Sequence, residues 1–380
     1  MANIFQNFFK KPETSIIGVD IGGSAIKVVQ LRKKKGKAVL ETYGELALGP
    51  YAGMSVGQVV NLPPEKLAEA VRDVLKEAKI TTTSAGVAIP FRSSLVSLIE
   101  MPAVDEKQLQ EMIPIEARKY IPVPISEVTL DWWIVPKEEG RELDFVENEE
   151  DDSSEQHIKK AQQKTDVLVV SIHNEVLSNY NATVQASGLH TSFFEIEMFS
   201  ATRALLSQET SPVMIFDMGA TGTKIYILEK GVVRTSHIIN KGSQDITISI
   251  SKGMGVSIDQ AEKIKRGMVT TGTDDAEQQK NIYEIISVPL DYIFSEANTA
   301  LLNYQRHYNK TISKVILTGG GSALRGFTEL AKANFQAEVV IGDPFAKVQA
   351  PAFLEDVLKA TGLEFSVAVG LALRKLQEFE

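Results

Sequence analysis

The sequence predicts an α/β protein of two duplicated lobes facing one cleft, with a strand–helix–strand–strand module inserted in the first lobe. Three observations carry this expectation. "DIGGSAIK" (Asp20 to Lys27) and "DMGATGTK" (Asp217 to Lys224) share the pattern D-x-G-x-[S/T]-x-x-K, each after an apolar β-rich run, "SIIGV" and "VMIF". A further glycine cluster, "GGGS" (Gly319 to Ser322), follows the apolar run "KVIL". Between the two repeats lie β-rich runs on either side of one helical stretch.

The elements follow in order. Residues 1–13 form an N-terminal tail in which Ile4, Phe5, Phe8 and Phe9 precede Lys10 and Lys11. This tail either docks on a membrane surface or partner, or frays and packs two rings locally. Residues 14–84 and 175–210 make the first lobe's core. After the glycine turn come "IKVVQL", a charged turn "RKKKGK" and a third strand "AVLETYGELAL". The inserted module is expected over 85–174. It reads as strands "AGVAIPF" and "LVSLIEMP", a helix "DEKQLQEMIPIEARKYI" kinked or started late by Pro114, and strands "EVTLDWWIV" and "TDVLVVSIH". The acidic, aromatic-poor 137–165 segment between the last two is a spacer of the kind that stays mobile.

"SFFEIEMFSATRALLSQ" reads as a strand feeding a helix that closes the first lobe. The second lobe's core covers 211–250 and 311–380, with a smaller subdomain at 251–310. Its meander repeats the first: "TKIYIL", a short turn "EKG", then "VVRTSHII". Ser257 and Gln260 form a capping box that opens a helix. The final "FSVAVGLALRKLQEFE" reads as a helix closing the fold and returning towards the first lobe.

Composition narrows the function. The chain of 380 residues carries a formal charge of -9, which argues against a nucleic-acid surface built on clustered Lys and Arg. It has no cysteine, so disulfides and thiolate metal sites are excluded, and its five histidines are scattered without metal-binding helical spacing. No run reaches the ~18 apolar residues of a membrane span, and the N-terminus lacks the pattern of a signal peptide. A cytoplasmic protein is expected.

A turn of Gly with Ser or Thr exposes backbone N–H groups unobstructed by side chains, which makes an anion-binding concavity. Two such hairpins facing each other can clamp a polyphosphate, with an Asp at the start of each holding Mg²⁺ directly or through water. Lys27 and Lys224 either face the phosphates or lie solvated within the second strand. The third glycine cluster is neither a Walker loop nor a dinucleotide fingerprint, but a strand–glycine–helix turn that can close a nucleotide pocket.

Together these motifs resemble the phosphate-1, phosphate-2 and adenosine motifs of the actin, heat-shock chaperone and hexokinase superfamily, over nearly the whole chain. The resemblance implies an actin-like ATPase fold with ATP and Mg²⁺ as cofactors. Asp20, Gly22, Gly23, Ser24 and Lys27 would face the phosphates from one lobe, and Asp217, Gly219, Thr221, Gly222 and Thr223 from the other. Gly319, Gly320, Gly321 and Ser322 would line the adenosine side. Asp20 and Asp217 would hold the metal. Glu262 and Lys265, in "SIDQAEKIKRG", would bracket ribose and base; without that resemblance they read as a surface ion pair. Glu197 matches the carboxylate that orients the attacking water, with Glu195 on the same strand face and Asp217 as its catalytic companion. The chaperones' catalytic lysine has no counterpart, which implies slow hydrolysis at best.

The inserted module resembles the 1C subdomain of the cell-division FtsA and pilus-assembly PilM families. "IEARKYIPVPISEVTLDW" is similar to the PilM pattern, although Pro114 departs from it. That resemblance implies an ATP-binding scaffold of the type IV pilus inner-membrane platform. Its partner would be the cytoplasmic N-terminal peptide of PilN, beside other pilus assembly proteins and possible self-association, and it would reach the membrane only through partners. Along "EVTLDWWIV", Leu130, Trp132 and Ile134 alternate with Asp131, Trp133 and Val135, so the two tryptophan rings point oppositely. One ring either meets a partner or packs under a neighbouring loop; Arg118, Tyr120 and Trp133 are the groove candidates. The alternatives are an FtsA-like membrane-associated division filament and a small-molecule kinase, for which no sugar-binding cage is evident.

Overall fold

The computed structural model describes residues 15–135, 164–267 and 276–377. The N-terminal Phe-rich tail and most of the acidic 137–165 segment lie outside the described residues. The described chain falls into two compact units, one within Met1–Arg92 and Leu177–Glu380, the other within Ser93–Val176.

The larger unit begins with β1 (Ser15–Ile21), β2 (Ala25–Lys34) and β3 (Lys37–Ala47), then α1 (Pro64–Glu77) and β4 (Ser84–Ile89). The smaller unit contributes β5 (Ser94–Pro102), α2 (Glu106–Ala117), β6 (Val128–Val135) and β7 (Lys164–His173). The chain returns through α3 (Asn174–Ala186), β8 (His190–Ile196) and α4 (Glu197–Leu205). Next come β9 (Val213–Met218), β10 (Thr223–Glu229), β11 (Val232–Ile239), α5 (Ser243–Met254), α6 (Ile258–Lys265) and α7 (Ala276–Tyr308). The last elements are β12 (Lys314–Thr318), α8 (Phe327–Asn334), β13 (Glu338–Ile341), β14 (Val348–Gln349), α9 (Glu355–Thr361) and α10 (Ser366–Gln377).

The duplication is explicit in the sheets. One runs β14-β3-β2-β1-β4-β8 and the other β11-β10-β9-β12-β13. In each, a three-strand antiparallel meander is extended by two parallel strands: β1 to β4 to β8, and β9 to β12 to β13. β1 reads as a continuous apolar run because both of its faces are covered. Ile16 packs with Val369 and Leu373 of α10, while Ile17 and Val19 pack with Val71 and Val74 of α1. α10 approaches so closely that a Cβ on Gly18 would lie 1.9 Å from the Ala368 carbonyl oxygen. In the second lobe Met214, Phe216 and Met218 meet Ile246 and Ile250 of α5 and Phe294 of α7, with Phe216 and Phe294 stacked at 6.0 Å.

The smaller unit is a three-stranded sheet, β5-β7-β6, covered by α2. Leu109, Ile113 and Ala117 recur at helical spacing and bury against Ile99, Met101, Val167 and Val169. α2 starts well before Pro114 and runs through it, with Asp105 capping its start by accepting the Gln108 N–H at 2.9 Å. "AGVAIPF", expected as the module's first strand, is instead β4 of the first sheet. Buried on both faces and paired with β1 and β8, it looks in sequence like any interior strand. The smaller unit therefore begins at Ser93 rather than at residue 85, and α5 runs across the expected border between residues 250 and 251.

Candidate functional site

Both hairpins are built alike. Asp20 lies opposite Lys27 across β1 and β2, and Asp217 lies opposite Lys224 across β9 and β10. The first turn is closed by the Gly22 N–H donating to the Ala25 carbonyl at 3.0 Å, the second by the Gly219 N–H donating to the Gly222 carbonyl at 3.0 Å. Gly23 and Ser24, and Ala220 and Thr221, fall beyond the last ladder pairs, so their N–H groups stay outside the sheets. That is the bare concavity an anion requires.

The turns face each other across the lobes: a Cβ on Gly23 would lie 2.6 Å from Thr221 Cγ2. Beside them the Val59 N–H donates to Gln244 Oε1 at 2.8 Å, and a Cβ on Gly57 would come within 2.7 Å of the Glu262 carboxylate. The third glycine cluster abuts the second hairpin. Gly319 has φ +83°, and a Cβ there would lie 2.4 Å from Asp217 Oδ1, so only glycine fits without strain.

Charge is concentrated behind these turns. Glu197 is buried at the head of α4 and accepts the Phe91 N–H at 2.7 Å. Lys224 Nζ donates to Glu197 at 2.7 Å and to the buried Asp217 at 3.3 Å. Burial alone would lower the Lys224 pKa, but Asp217 and Glu197 outweigh it and hold the ammonium well above the usual lysine range. Asp20 belongs to the same cluster. Burial pushes its carboxyl up to about 6, Lys27 opposes that rise, and Glu197 and Asp217 add to it. Tyr226 closes the floor, its ring edge-on to Phe91 at 5.6 Å and its buried hydroxyl without a hydrogen-bond partner among the described residues.

The remaining expected residues divide. Glu262 and Lys265 are paired at 2.7 Å, and Glu262 also accepts from Arg266 at 2.7 Å and from Thr247 Oγ1 at 2.7 Å. Burial pushes Glu262 up, but Lys265, Arg266 and Thr247 hold it below the usual carboxylate range. Gly320 and Gly321 continue the third turn, which passes through a short 3-10 segment before α8, not straight into a helix. Ser322 is buried and its hydroxyl donates to the Thr318 carbonyl at 2.6 Å, while the Thr223 hydroxyl donates to the Lys241 carbonyl at 2.9 Å. Both hydroxyls thus donate their hydrogen to the backbone. Glu195 is gripped by Arg203 at 2.7 Å and Arg374 at 3.0 Å, which ties β8 to α4 and α10 and removes it from the cleft.

In the smaller unit, Arg118 and Tyr120 sit together at the end of α2. Tyr120 is 50% exposed and lines a concavity with Leu95, Ser97, Ile121 and Val169. Trp132 pairs with Val169 and packs on that face, so Trp133, paired with Leu168 and 43% exposed, lies on the opposite one. Strand alternation thus separates Trp133 from the other two groove candidates.

One contributor, Arg92, was missed in the sequence, and Lys224 was named with its place left open. Lys224 is engaged with buried acids where a solvated strand position was one expectation; its register opposite Asp217 was the available signal. Arg92 had none. It follows β4, and its Nη2 lies 3.1 Å from where a Gly222 Cβ would stand. The glycine turns suit a polyphosphate. The metal expectation fares differently: Lys224 occupies Oδ2 of Asp217 at 3.3 Å, so a divalent ion ligated jointly by Asp20 and Asp217 would have to share that carboxylate with an ammonium, an arrangement the residues do not favour.

The family model described as type IV pilus assembly protein PilM matches residues 18–148 and 152–376. The cell division protein FtsA of Neisseria meningitidis serogroup B is 24% identical over 353 residues, covering 86% of this chain and 82% of that protein. Among solved structures, a PilM–PilN type IV pilus biogenesis complex superposes with a TM-score of 0.77 at 23% identity, covering 96% of this chain and 99% of its own. MreB5 of Spiroplasma citri bound to ADP superposes with a TM-score of 0.50 at 12% identity, covering 96% and 98%. The fold is that of the actin-like ATPases.

Proposed function

This chain belongs to the type IV pilus assembly protein PilM family, and from that premise we propose that it is a nucleotide-binding scaffold of the pilus inner-membrane platform. The carrying observation is the family match across nearly the whole chain, cleft and inserted module alike. ATP would lie between the two glycine turns, its phosphates on the N–H groups of Gly23, Ser24, Ala220 and Thr221. The Glu262–Lys265 pair would border the ribose. The ADP-bound MreB5 relative supports a nucleotide in this cleft. Bound magnesium would bring Lewis acidity to the phosphates. Glu197 is already spoken for by Lys224 and the Phe91 N–H, so it is poorly placed to order an attacking water, and turnover would be slow.

The partner proposed is the cytoplasmic N-terminal peptide of PilN, since the similar complex pairs PilM with PilN. Tyr120, which lines the concavity of the smaller unit, and the exposed Arg118 two residues before it are the residues offered for it. Among the described residues no helix is long and apolar enough to cross a membrane, so attachment would run through such partners. An FtsA-like filament is the second reading, favoured by the curated relatives bearing that name.

Calorimetric titration of the PilN peptide, with ATP and again with ADP present, tests the reading. Binding is expected in at least one state, and Tyr120→Ala should weaken it by ~tenfold or more, as loss of a buried aromatic anchor does. Absence of heat in both states would remove the pilus partner and leave the filament reading.

A further inference from the structure

The second hairpin carries a cation of its own. Lys224 Nζ sits between Glu197 and Asp217, and a Cβ on Gly219, the first glycine of the phosphate turn, would lie only 3.9 Å from it. At the other end of the same turn stands the Arg92 guanidinium, beside Gly222 and paired with no acid among the described residues. An ammonium has three donors, and two of those on Lys224 are used by the carboxylates. The first hairpin lacks this arrangement, because Lys27 is drawn to Glu45 at 3.7 Å and Glu364 at 3.8 Å.

We propose that Lys224 is the resident cation of the nucleotide site and meets the triphosphate where a protein-ligated divalent ion would otherwise sit, so that ATP binding depends only weakly on magnesium. The inference rests on the nucleotide reading above. Its physical basis is exclusion as much as attraction. Magnesium bound directly to Asp217 demands oxygen contacts of about 2.0–2.1 Å, on a carboxylate whose Oδ2 the ammonium already holds and whose Oδ1 faces Gly319. Two cations on one carboxylate repel at close range, most strongly where water is scarce. The triphosphate can instead be neutralised by Lys224 from below the turn and by Arg92 at its rim, leaving magnesium to travel on the outer phosphate oxygens. A purely structural Lys224 would hold the acids together and leave the metal requirement of ATP binding untouched.

Calorimetry with ATP, once with magnesium and once with a chelator, separates these cases. For the unaltered chain the affinity should differ between the two media by less than ~tenfold, a change of about 1.4 kcal/mol in binding. In Lys224→Met the freed carboxylates should recruit the metal, and chelation should then cost ~tenfold or more. The inference is overturned if the unaltered chain itself loses tenfold or more on chelation, a result that needs no variant, or if Lys224→Met remains as indifferent to chelation as its parent. Failure of the unaltered chain to bind ATP in both media would overturn the nucleotide reading itself, and the inference with it.

Discussion

The two hairpins share register, turn bond and a cross-strand Asp–Lys pair, yet their lysines end in different places. The next strand decides this. Lys27 stands opposite Glu45 of β3, an acid that draws it sideways, whereas Lys224 stands opposite Ile238 of β11. With no acid beside it on β11, Lys224 turns to Asp217 and to Glu197 at the head of α4. The motif fixes the backbone; its neighbours assign the charge. Replacing each lysine should expose the contrast. Lys224→Met strips the counter-charge from two buried carboxylates and should cost ~3–5 kcal/mol. Lys27→Met breaks longer pairs to partly solvated acids and should cost no more than ~1 kcal/mol. Denaturant unfolding of both variants measures the difference, and equal losses would erase the asymmetry.

The aspartates sharpen the same comparison through pH. The Asp20 carboxyl is raised from 3.8 to about 6, chiefly by burial. A folded-state pKa above the unfolded one means the native chain binds the extra proton between those values. Asp20 therefore favours the fold at low pH, and that contribution is lost as pH rises through the window from 3.8 to about 6. The loss is up to about 3 kcal/mol at ~1.36 kcal/mol per pKa unit, reduced by the solvent contact Asp20 retains. Asp20→Asn should flatten this slope and stabilise the protein at neutral pH. Stability profiles of parent and variant that stay parallel from acid to neutral pH would show that Asp20 feels no such burial.

Much of this was legible because glycine turns are local chemistry. The hairpins, the capping box of Ser257 and Gln260, and the closing helix all follow from short-range residue choices, and the structure has each of them. What could not be read depends on partners distant in the chain. Lys224 takes its role from Glu197, and Arg92 from the accident that its guanidinium comes beside Gly222. β4 was misplaced because an interior strand carries no mark of the sheet it joins. Thr223 was assigned to phosphate and Ser322 to the adenosine side because a hydroxyl near a glycine turn looks the same whether it points at a ligand or back at the chain. Trp133 was separated from Tyr120 by alternation, which the sequence did display; the position of α2 over one face was the missing part.

A smaller effect than that of Lys224→Met or of Asp20 tests the facing of the hairpins themselves. Gly23 and Ala220 are equivalent, and only the second carries a methyl group. With the turns in contact, Gly23→Ala drives its Cβ against Thr221 Cγ2, 2.6 Å away, at a cost of ~1–2 kcal/mol for overpacking. Gly23 is not among the residues with positive φ, so were the lobes apart the same change would stabilise by up to ~1 kcal/mol, through lost freedom in the unfolded chain. The sign of the change thus reports the closeness of the turns. Adding Thr221→Ser removes the opposing methyl and should restore most of the loss, a coupling of at least ~0.5 kcal/mol in a double-mutant cycle. A stabilised Gly23→Ala with no coupling to Thr221 would mean that the two turns do not meet in solution. The shared clamp would then have to be assembled by the nucleotide, not found ready by it.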